Sequence, residues 1–338
     1  MQRSENEKRV FFSMSMRFIS SVEHANMIGT IVSSNITKHR FIYVPVPVEE
    51  NGKIIRYKLV RAPAISGQAS LNAYERALVD YCKDKPEDVC KVDENCKNYE
   101  FVKHTTDKSG DENEWIEDCV VEDVTGYLAP NIGVKKTSTI WFSYTVPDFT
   151  MGKALLDYQM FTRYTLEQTR ERGGFIGQRE SGHAVYRLSV AIDVSRIGYN
   201  GKGELVIKDE NKRACRVEAA FKALMLMFSG GYIGANRTRA LALEYVKPTS
   251  LVAAVSVGLP FMVSPAEGTD YIVSTCSRAT TFVKDLGAEV YLYYLAGDAD
   301  KPSQCSVSAE PVDSLESAID KAMNKVLEEM GLKGKCKA

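Results

Sequence analysis

Val10-Phe11-Phe12-Ser13-Met14-Ser15-Met16-Arg17-Phe18-Ile19 alternates along its length. Phe12, Met14, Met16 and Phe18 fall on one side and Ser13, Ser15, Arg17 and Ile19 on the other, the period of a half-buried β-strand. After a loop-like stretch from Asn26 to Arg40, two apolar runs, Phe41 to Val48 and Ile54 to Val60, flank Glu49-Glu50-Asn51-Gly52-Lys53. Asn-Gly between such runs predicts a hairpin, because both residues tolerate positive φ. Ile65-Ser66-Gly67-Gln68 then opens a helix in which Ser66 caps and Leu71, Tyr74, Leu78 and Tyr81 recur at helical spacing.

Further strands are predicted over Thr137 to Val146, ended by Pro147, and over His183 to Val194, Thr249 to Met262 and Glu289 to Leu295. Cys215 to Phe228 sets Val217, Phe221, Leu224 and Phe228 on one helical face and stops at Ser229-Gly230-Gly231. Asp313-Ser314-Leu315-Glu316 reads as a capping box opening a last helix with Leu315, Ile319, Val326 and Met330. Strands and helices mix without regular βαβα alternation, which predicts an α+β fold on a largely antiparallel sheet. No internal repeat is visible.

With 338 residues, 44% hydrophobic and 26% charged, the chain has the composition of a globular protein of about two domains, or of one domain with large insertions. It contains no apolar run of membrane-spanning length, and Met1 to Val10 lacks the apolar core of a signal peptide, so no membrane partner and a cytoplasmic location are expected. The formal charge of −1 hides a split. Lys83 to Asp123 holds fourteen acidic residues against six basic ones, a local −8 that leaves the remainder at +7. A moderately basic body with one acidic excursion can still hold an anionic polymer, because the local field decides. The acidic segment has no strong period beyond a short run from Tyr99 to His104 and reads as a loop-rich peripheral insertion.

Cys82, Cys90, Cys96 and Cys119 lie in or beside that insertion, while Cys215, Cys276, Cys305 and Cys336 are scattered. The spacing has no CxxC pair and is loose for zinc. Core or free thiols come first, a disulfide pair second and zinc last; no metal and no cofactor is expected.

The four histidines, His24, His39, His104 and His183, form no HExxH motif, and the chain has no GxSxG and no P-loop, so nothing demands an enzyme. Four clusters suit an anion. Asn35-Ile36-Thr37-Lys38-His39-Arg40 crowds phosphate donors ahead of a strand, or is a solvated loop. Arg61 with Ser66-Gly67-Gln68 combines a cation with a helix N-terminus, where Gly67 admits an anion, or is plain capping. Arg163, Arg170, Arg172 and Arg179, interleaved with Phe161, Tyr164 and Phe175, form a glycine-bearing arm that suits stacked bases and phosphates, or a solvated loop. Gly230-Gly231-Tyr232-Ile233-Gly234-Ala235-Asn236-Arg237-Thr238-Arg239 ends in alternating arginines that share a side in an extended chain. The arm is expected to be mobile without a partner.

At these clusters the sequence resembles the CRISPR-associated autoregulator DevR family. The resemblance is carried by Asn35 to Arg40, by Ala64-Ile65-Ser66-Gly67-Gln68-Ala69 running into Ala73-Tyr74, and by Tyr99-Glu100-Phe101-Val102-Lys103. It continues through Val134-Lys135-Lys136-Thr137-Ser138, Ser229-Gly230-Gly231 with Asn236-Arg237-Thr238-Arg239, and Pro260-Phe261-Met262, in the family's order over most of the chain.

The resemblance, to the family's archaeal type I-A Cascade backbone members, implies a modified RRM-like (ferredoxin-like) palm with finger-like and thumb-like insertions. The palm would comprise residues 1–82, 124–148 and 183–338, the acidic finger 83–123 and the thumb-like arm 149–182. The implied function is non-enzymatic: several copies bind guide RNA (crRNA), stack along it as a helical homo-oligomer with other Cascade subunits, and leave bases free to pair with a target DNA strand. Carried over by position, Lys38, His39, Arg40, Arg61, Ser66 and Gln68 would make palm contacts, with Asn35 beside them, and Asn236, Arg237 and Arg239 a second strip. No family motif is matched in the arm, so Arg163, Arg170 and Arg172 rest on composition. The competing expectations are a repeat-RNA processing endoribonuclease of the same superfamily and a free-standing RNA-binding regulator.

Overall fold

The computed structural model describes residues 8–22, 27–31, 36–51, 53–163, 175–233 and 247–337. Strands β1 (Val10–Val22), β2 (Met27–Ile31) and β3 (Ile36–His39) lead into the hairpin of β4 (Phe41–Glu50) and β5 (Lys53–Pro63), followed by α1 (Gly67–Cys82). Four short helices come next: α2 (Glu87–Cys90), α3 (Glu94–Lys97), α4 (Glu112–Asp118) and α5 (Val120–Thr125). Short strands β6 (Tyr127–Ala129), β7 (Val134–Lys136), β8 (Ile140–Phe142) and β9 (Val146–Pro147) precede β10 (Leu155–Arg163) and the long β11 (Phe175–Ile192). The chain closes with α6 (Glu210–Ser229), β12 (Lys247–Val257), α7 (Tyr271–Leu286), β13 (Glu289–Leu295), β14 (Ser308–Pro311) and α8 (Leu315–Glu329).

The alternating N-terminal stretch becomes the centre of the main sheet. β1 lies between β11 and β12, antiparallel to both, in the order β14-β13-β12-β1-β11-β3-β2. Two pairings are parallel, β3 with β11 and β13 with β14, so the expectation of a mixed α+β fold on a largely antiparallel sheet holds.

The apolar face of β1 packs Phe12, Met14, Met16 and Phe18 against α1, α6 and α8 through Tyr74, Leu78, Phe221, Leu224 and Ile319. Each such side chain contributes about 1.5–3 kcal/mol on burial. The other face departs from the half-buried expectation: Ser13, Ser15 and Arg17 are also buried. A second apolar layer covers it, with Phe261, Val263, Ala266, Tyr271, Ile272 and Cys276 packed on Val252 and Ala254 of β12. The buried serines are therefore hydrogen-bonded, Ser13 Oγ donating to Phe261 O (2.9 Å) and Ser15 Oγ accepting from Ala266 N (2.9 Å).

Local chemistry accounts for the element ends. Ser66, Asp209 and Ser314 cap α1, α6 and α8 through their side-chain oxygens. The hairpin turns at Asn51, at φ 52°, and β12 stops at Val257 because Gly258 turns the chain at φ 92°. The strand predicted from Thr137 to Val146 is two short strands, β8 and β9, each added to β11.

Four further readings change. Within Asn26 to Arg40, read as loop, the described residues form β2 and β3, because pairing with each other and with β11 decides their structure. The segment from Lys83 to Asp123 is not loop-rich and peripheral: Asp93 and Asp111 cap α3 and α4, and Cys90, Val92, Cys96 and Val120 join the main core. The Arg/Gly-rich arm is strand at both ends, with β10 paired to β11 from Leu155↔His183 to Arg163↔Phe175. The expected mobility of its middle lies outside the described residues. Six cysteines form disulfides, Cys82–Cys90, Cys215–Cys336 and Cys276–Cys305, while Cys96 and Cys119 are buried and unbridged, so thiols do not come first.

Candidate nucleic-acid interface

The site is built at one end of the main sheet. Gly182 of β11 pairs with Val22 at the end of β1, and Lys247, where β12 begins, pairs with Ile19. Beyond Gly182 toward its N-terminus, β11 pairs with β10 and, at Gln178↔Ile36 and Arg179↔Thr37, with β3. The backbone pairings thus bring the strand segments that carry Lys38 and His39 (β3), Arg163 (β10) and Arg179 (β11) to the same end of the sheet. Asn35, Arg170, Arg172, Asn236, Arg237 and Arg239 lie outside the described residues.

The hairpin of β4 and β5 is rooted at the same place. A Cβ on Gly182 would fall 3.1 Å from Pro63 Cβ and 2.7 Å from the Tyr186 hydroxyl, so only glycine lets β11 pass the hairpin base this closely. Arg40 O accepts from Ala64 N (3.0 Å), and Ile65 bridges Thr145 by two backbone bonds of 2.9 and 3.1 Å. Arg40 donates from Nη1 to Tyr144 Oη at 3.1 Å.

Strand alternation then sorts the hairpin's side chains. Phe41, Tyr43, Pro45 and Pro47 share one face with Tyr57, Leu59, Arg61 and Pro63 opposite them, while Arg56 and Lys58 fall on the other face among Val44, Val46 and Val48. Arg61 is exposed and holds its guanidinium 3.8 Å above the Phe41 ring, a cation–π contact that lies across from Tyr43. Tyr43, Tyr57 and Leu59 are 68%, 64% and 65% exposed. A cation stacked on an aromatic ring, with a second exposed ring beside it, offers a phosphate partner and a stacking platform together.

The helix N-terminus behaves differently from the sequence reading. Ser66 is buried and caps α1 by accepting from Ala69 N (3.2 Å), whereas Gln68 is exposed at the first turn. A Cβ on Gly67 would sit 2.3 Å from Phe142 O, so the close approach of β8 requires this glycine without any anion. Beneath the hairpin base Tyr186 is fully buried, and burial pushes its phenol above the ordinary tyrosine value.

Sequence reading missed Tyr43, Arg56, Tyr57 and Lys58. Its signal was present, because Arg56-Tyr57-Lys58 alternates within a stretch already predicted to be a hairpin, which places Arg56 and Lys58 on one face and Tyr57 on the other.

The chain as a whole is similar to known proteins. The chain is 31% identical over 293 residues to a Saccharolobus solfataricus protein described as a CRISPR-associated aCascade subunit Cas7/Csa2, covering 79% of this chain and 85% of the relative. A Methanocaldococcus jannaschii protein, CRISPR-associated Cas7/Cst2/DevR, is 25% identical over 224 residues, 60% of this chain and 69% of the relative. A solved chain of a CRISPR RNA-guided surveillance complex is similar at TM-score 0.49 and 11% identity, over 93% of this chain and 98% of that one. The model of the CRISPR-associated negative auto-regulator DevR/Csa2 family matches residues 14–275, from the central strand into the start of α7, and the chain belongs to that family.

Proposed function

We propose that this protein is the guide-RNA backbone subunit of a type I-A Cascade complex, stacking in several copies along the RNA and holding its backbone while bases stay free to pair with target DNA. The observation that carries the reading is the joining, around Gly182, of segments far apart in sequence: Lys38 to Arg40, the hairpin base with Arg61, and the arm strands β10 and β11. The S. solfataricus relative described as an aCascade subunit supports it.

In this reading residues 1–82, 124–148 and 183–338 form an RRM-like palm, 83–123 the finger-like part and 149–182 the thumb-like arm. A subunit that must hold any guide sequence contacts phosphate and sugar and leaves sequence reading to base pairing. Its role is binding, without catalysis. The exposed rings of the hairpin, Tyr43 and Tyr57, suit bases or the surface of the adjacent copy.

Purified protein is titrated with labelled single-stranded RNAs of several sequences at rising salt, and the RNA is then resolved for cleavage. Sequence-tolerant binding that weakens steeply with salt, with intact RNA, is expected. Arg237→Ala with Arg239→Ala lowers the affinity in every sequence. Binding insensitive to salt, one strongly preferred sequence, or specific cleavage of repeat RNA overturns the reading.

A further inference from the structure

We propose that Asp93, Cys96 and Cys119 bind a thiophilic divalent cation of the zinc class, which pins α3 to the junction of α4 and α5. One carboxylate oxygen of Asp93 and the two Sγ atoms all lie within 4.8 Å of one another. Two thiolates and a carboxylate form a zinc donor set, and tetrahedral Zn–S bonds of about 2.3 Å put the sulfurs about 3.8 Å apart. The donors therefore converge by about 1 Å or less to close on an ion.

The carboxylate favours a cation over a fourth disulfide. Asp93 spends Oδ1 on capping α3, accepting from Asn95 N (2.8 Å) and Cys96 N (3.0 Å). Its Oδ2 is buried, and beyond the cap the carboxylate is held by hydrogen bonds from the Cys96 and Cys119 thiols, donors that a disulfide would remove. A disulfide between Cys96 and Cys119 would leave that oxygen's charge sealed against apolar sulfur, whereas a bound cation compensates it. The three closed cystines pair Cys82–Cys90, Cys215–Cys336 and Cys276–Cys305, which leaves these two buried thiols as the pair beside a carboxylate.

Access is provided as well. A cavity of about 340 Å³ is lined by Asp93, Cys96 and Cys119 together with His104, Trp115 and Glu122. His104 and Glu122 are hydrogen-bonded to each other (2.8 Å), so they orient the cavity wall and leave the fourth coordination position to water. Held this way, the ion closes the loop from Cys96 to Cys119, which carries the exposed acidic stretch around α4.

The test uses the full chain, purified under mild reduction and supplied with Zn²⁺. Elemental analysis is expected to give one zinc per chain, and Co²⁺ in its place is expected to show thiolate-to-cobalt charge transfer and the visible bands of a tetrahedral site. Cys96→Ser and Cys119→Ser lose both signals. Asp93→Asn retains an oxygen that caps α3 and weakens metal binding on the order of tenfold or more, which keeps the test independent of whether the serine variants fold. Absence of stoichiometric metal, metal retained in both serine variants, or no titratable thiols in the non-reduced, unfolded chain overturns the proposal.

Discussion

Arg17, fully buried in β1, meets Asp148 at 3.1 Å at the residue where the chain leaves β9 for the arm. The same guanidinium reaches Asp298 at 2.8 Å. Burial alone would lower the Arg17 pKa, but its hydrogen bonds to Asp298 and Asp148 raise it. Burial likewise pushes Asp298 up, yet the Arg17 hydrogen bond leaves it below the ordinary carboxylate value. Removing one partner of such a group strands a buried charge, typically at 3–5 kcal/mol. Arg17→Met is therefore expected to destabilise the chain by about that amount in urea unfolding. A change below about 1 kcal/mol would mean the pair contributes no more than an exposed one.

The bridge Cys215–Cys336 ties α6 to the C-terminus across 121 residues. A cross-link over so long a loop restricts the unfolded chain by about 4–5 kcal/mol in the loop-entropy account, and native bridges measure about 2–5 kcal/mol. Cys336→Ser, melted without reductant, is expected to lose stability in that range. A melting temperature equal to that of the parent chain would refute it.

How far the sequence discloses this depends on what each segment packs against. β1, β13, α6 and α8 are legible because their apolar residues recur at a single strand or helix period. α7 was not anticipated, since Val273-Ser274-Thr275-Cys276-Ser277 and Thr280-Thr281 are weak helix formers and only tertiary packing of Ile272, Cys276 and Ala279 holds them helical. The burial of Ser13, Ser15 and Arg17 was invisible for the same reason: their cover comes from residues about 250 positions away. Short capped helices such as α3 and α4 carry too few residues for a period, although Asp93 and Asp111 marked their starts. In the site, Lys38 to Arg40, Arg61 and Gln68 were legible as polar clusters. Their grouping around Gly182 was not, because strand pairing decides it.

His104 stacks on Trp115 with ring centroids 3.8 Å apart, while Nδ1 meets Asp107 and Nε2 meets Glu122, each at 2.8 Å. Burial would lower its pKa, but the bonds to Glu122 and Asp107 raise it above the usual value. A raised folded-state pKa contributes stability that is complete below the unfolded value of about 6.5 and is lost as pH climbs through the folded one. Glu122, raised chiefly by burial, acts in the same sense, since its folded form resists losing the proton. Tyr127 and Lys103 border the group without reversing this sign. The parent chain is thus expected to lose more stability than His104→Gln between about pH 6 and 8. Parallel profiles for the two proteins, followed by tryptophan fluorescence in urea, would exclude the effect.

Arg61 and Phe41 form the final test, because they join the hairpin to its proposed ligand. The guanidinium is exposed and stacked 3.8 Å above the ring, so its loss changes little in the fold, within about 0.5 kcal/mol for an exposed position. In the proposed RNA-binding role the same group would supply a phosphate contact and extend a stacking surface that reaches Tyr43 across the strand pair. Arg61→Ala is expected to weaken single-stranded RNA binding measurably and to reduce the salt slope by about 0.7, the share of one phosphate in single strands. Tyr43→Ala is expected to lose about 1–3 kcal/mol of binding, the worth of one stacked base, with the salt slope unchanged. Arg61→Lys keeps the charge and loses the planar stack, so it falls between parent and alanine variant. Arg278→Ala is the control: Arg278 lies on α7 with its guanidinium over the Phe261 ring, outside the hairpin, and its loss removes the same charge. Equal weakening by Arg278→Ala and Arg61→Ala would show that RNA responds to net charge alone, and the hairpin would not be the interface.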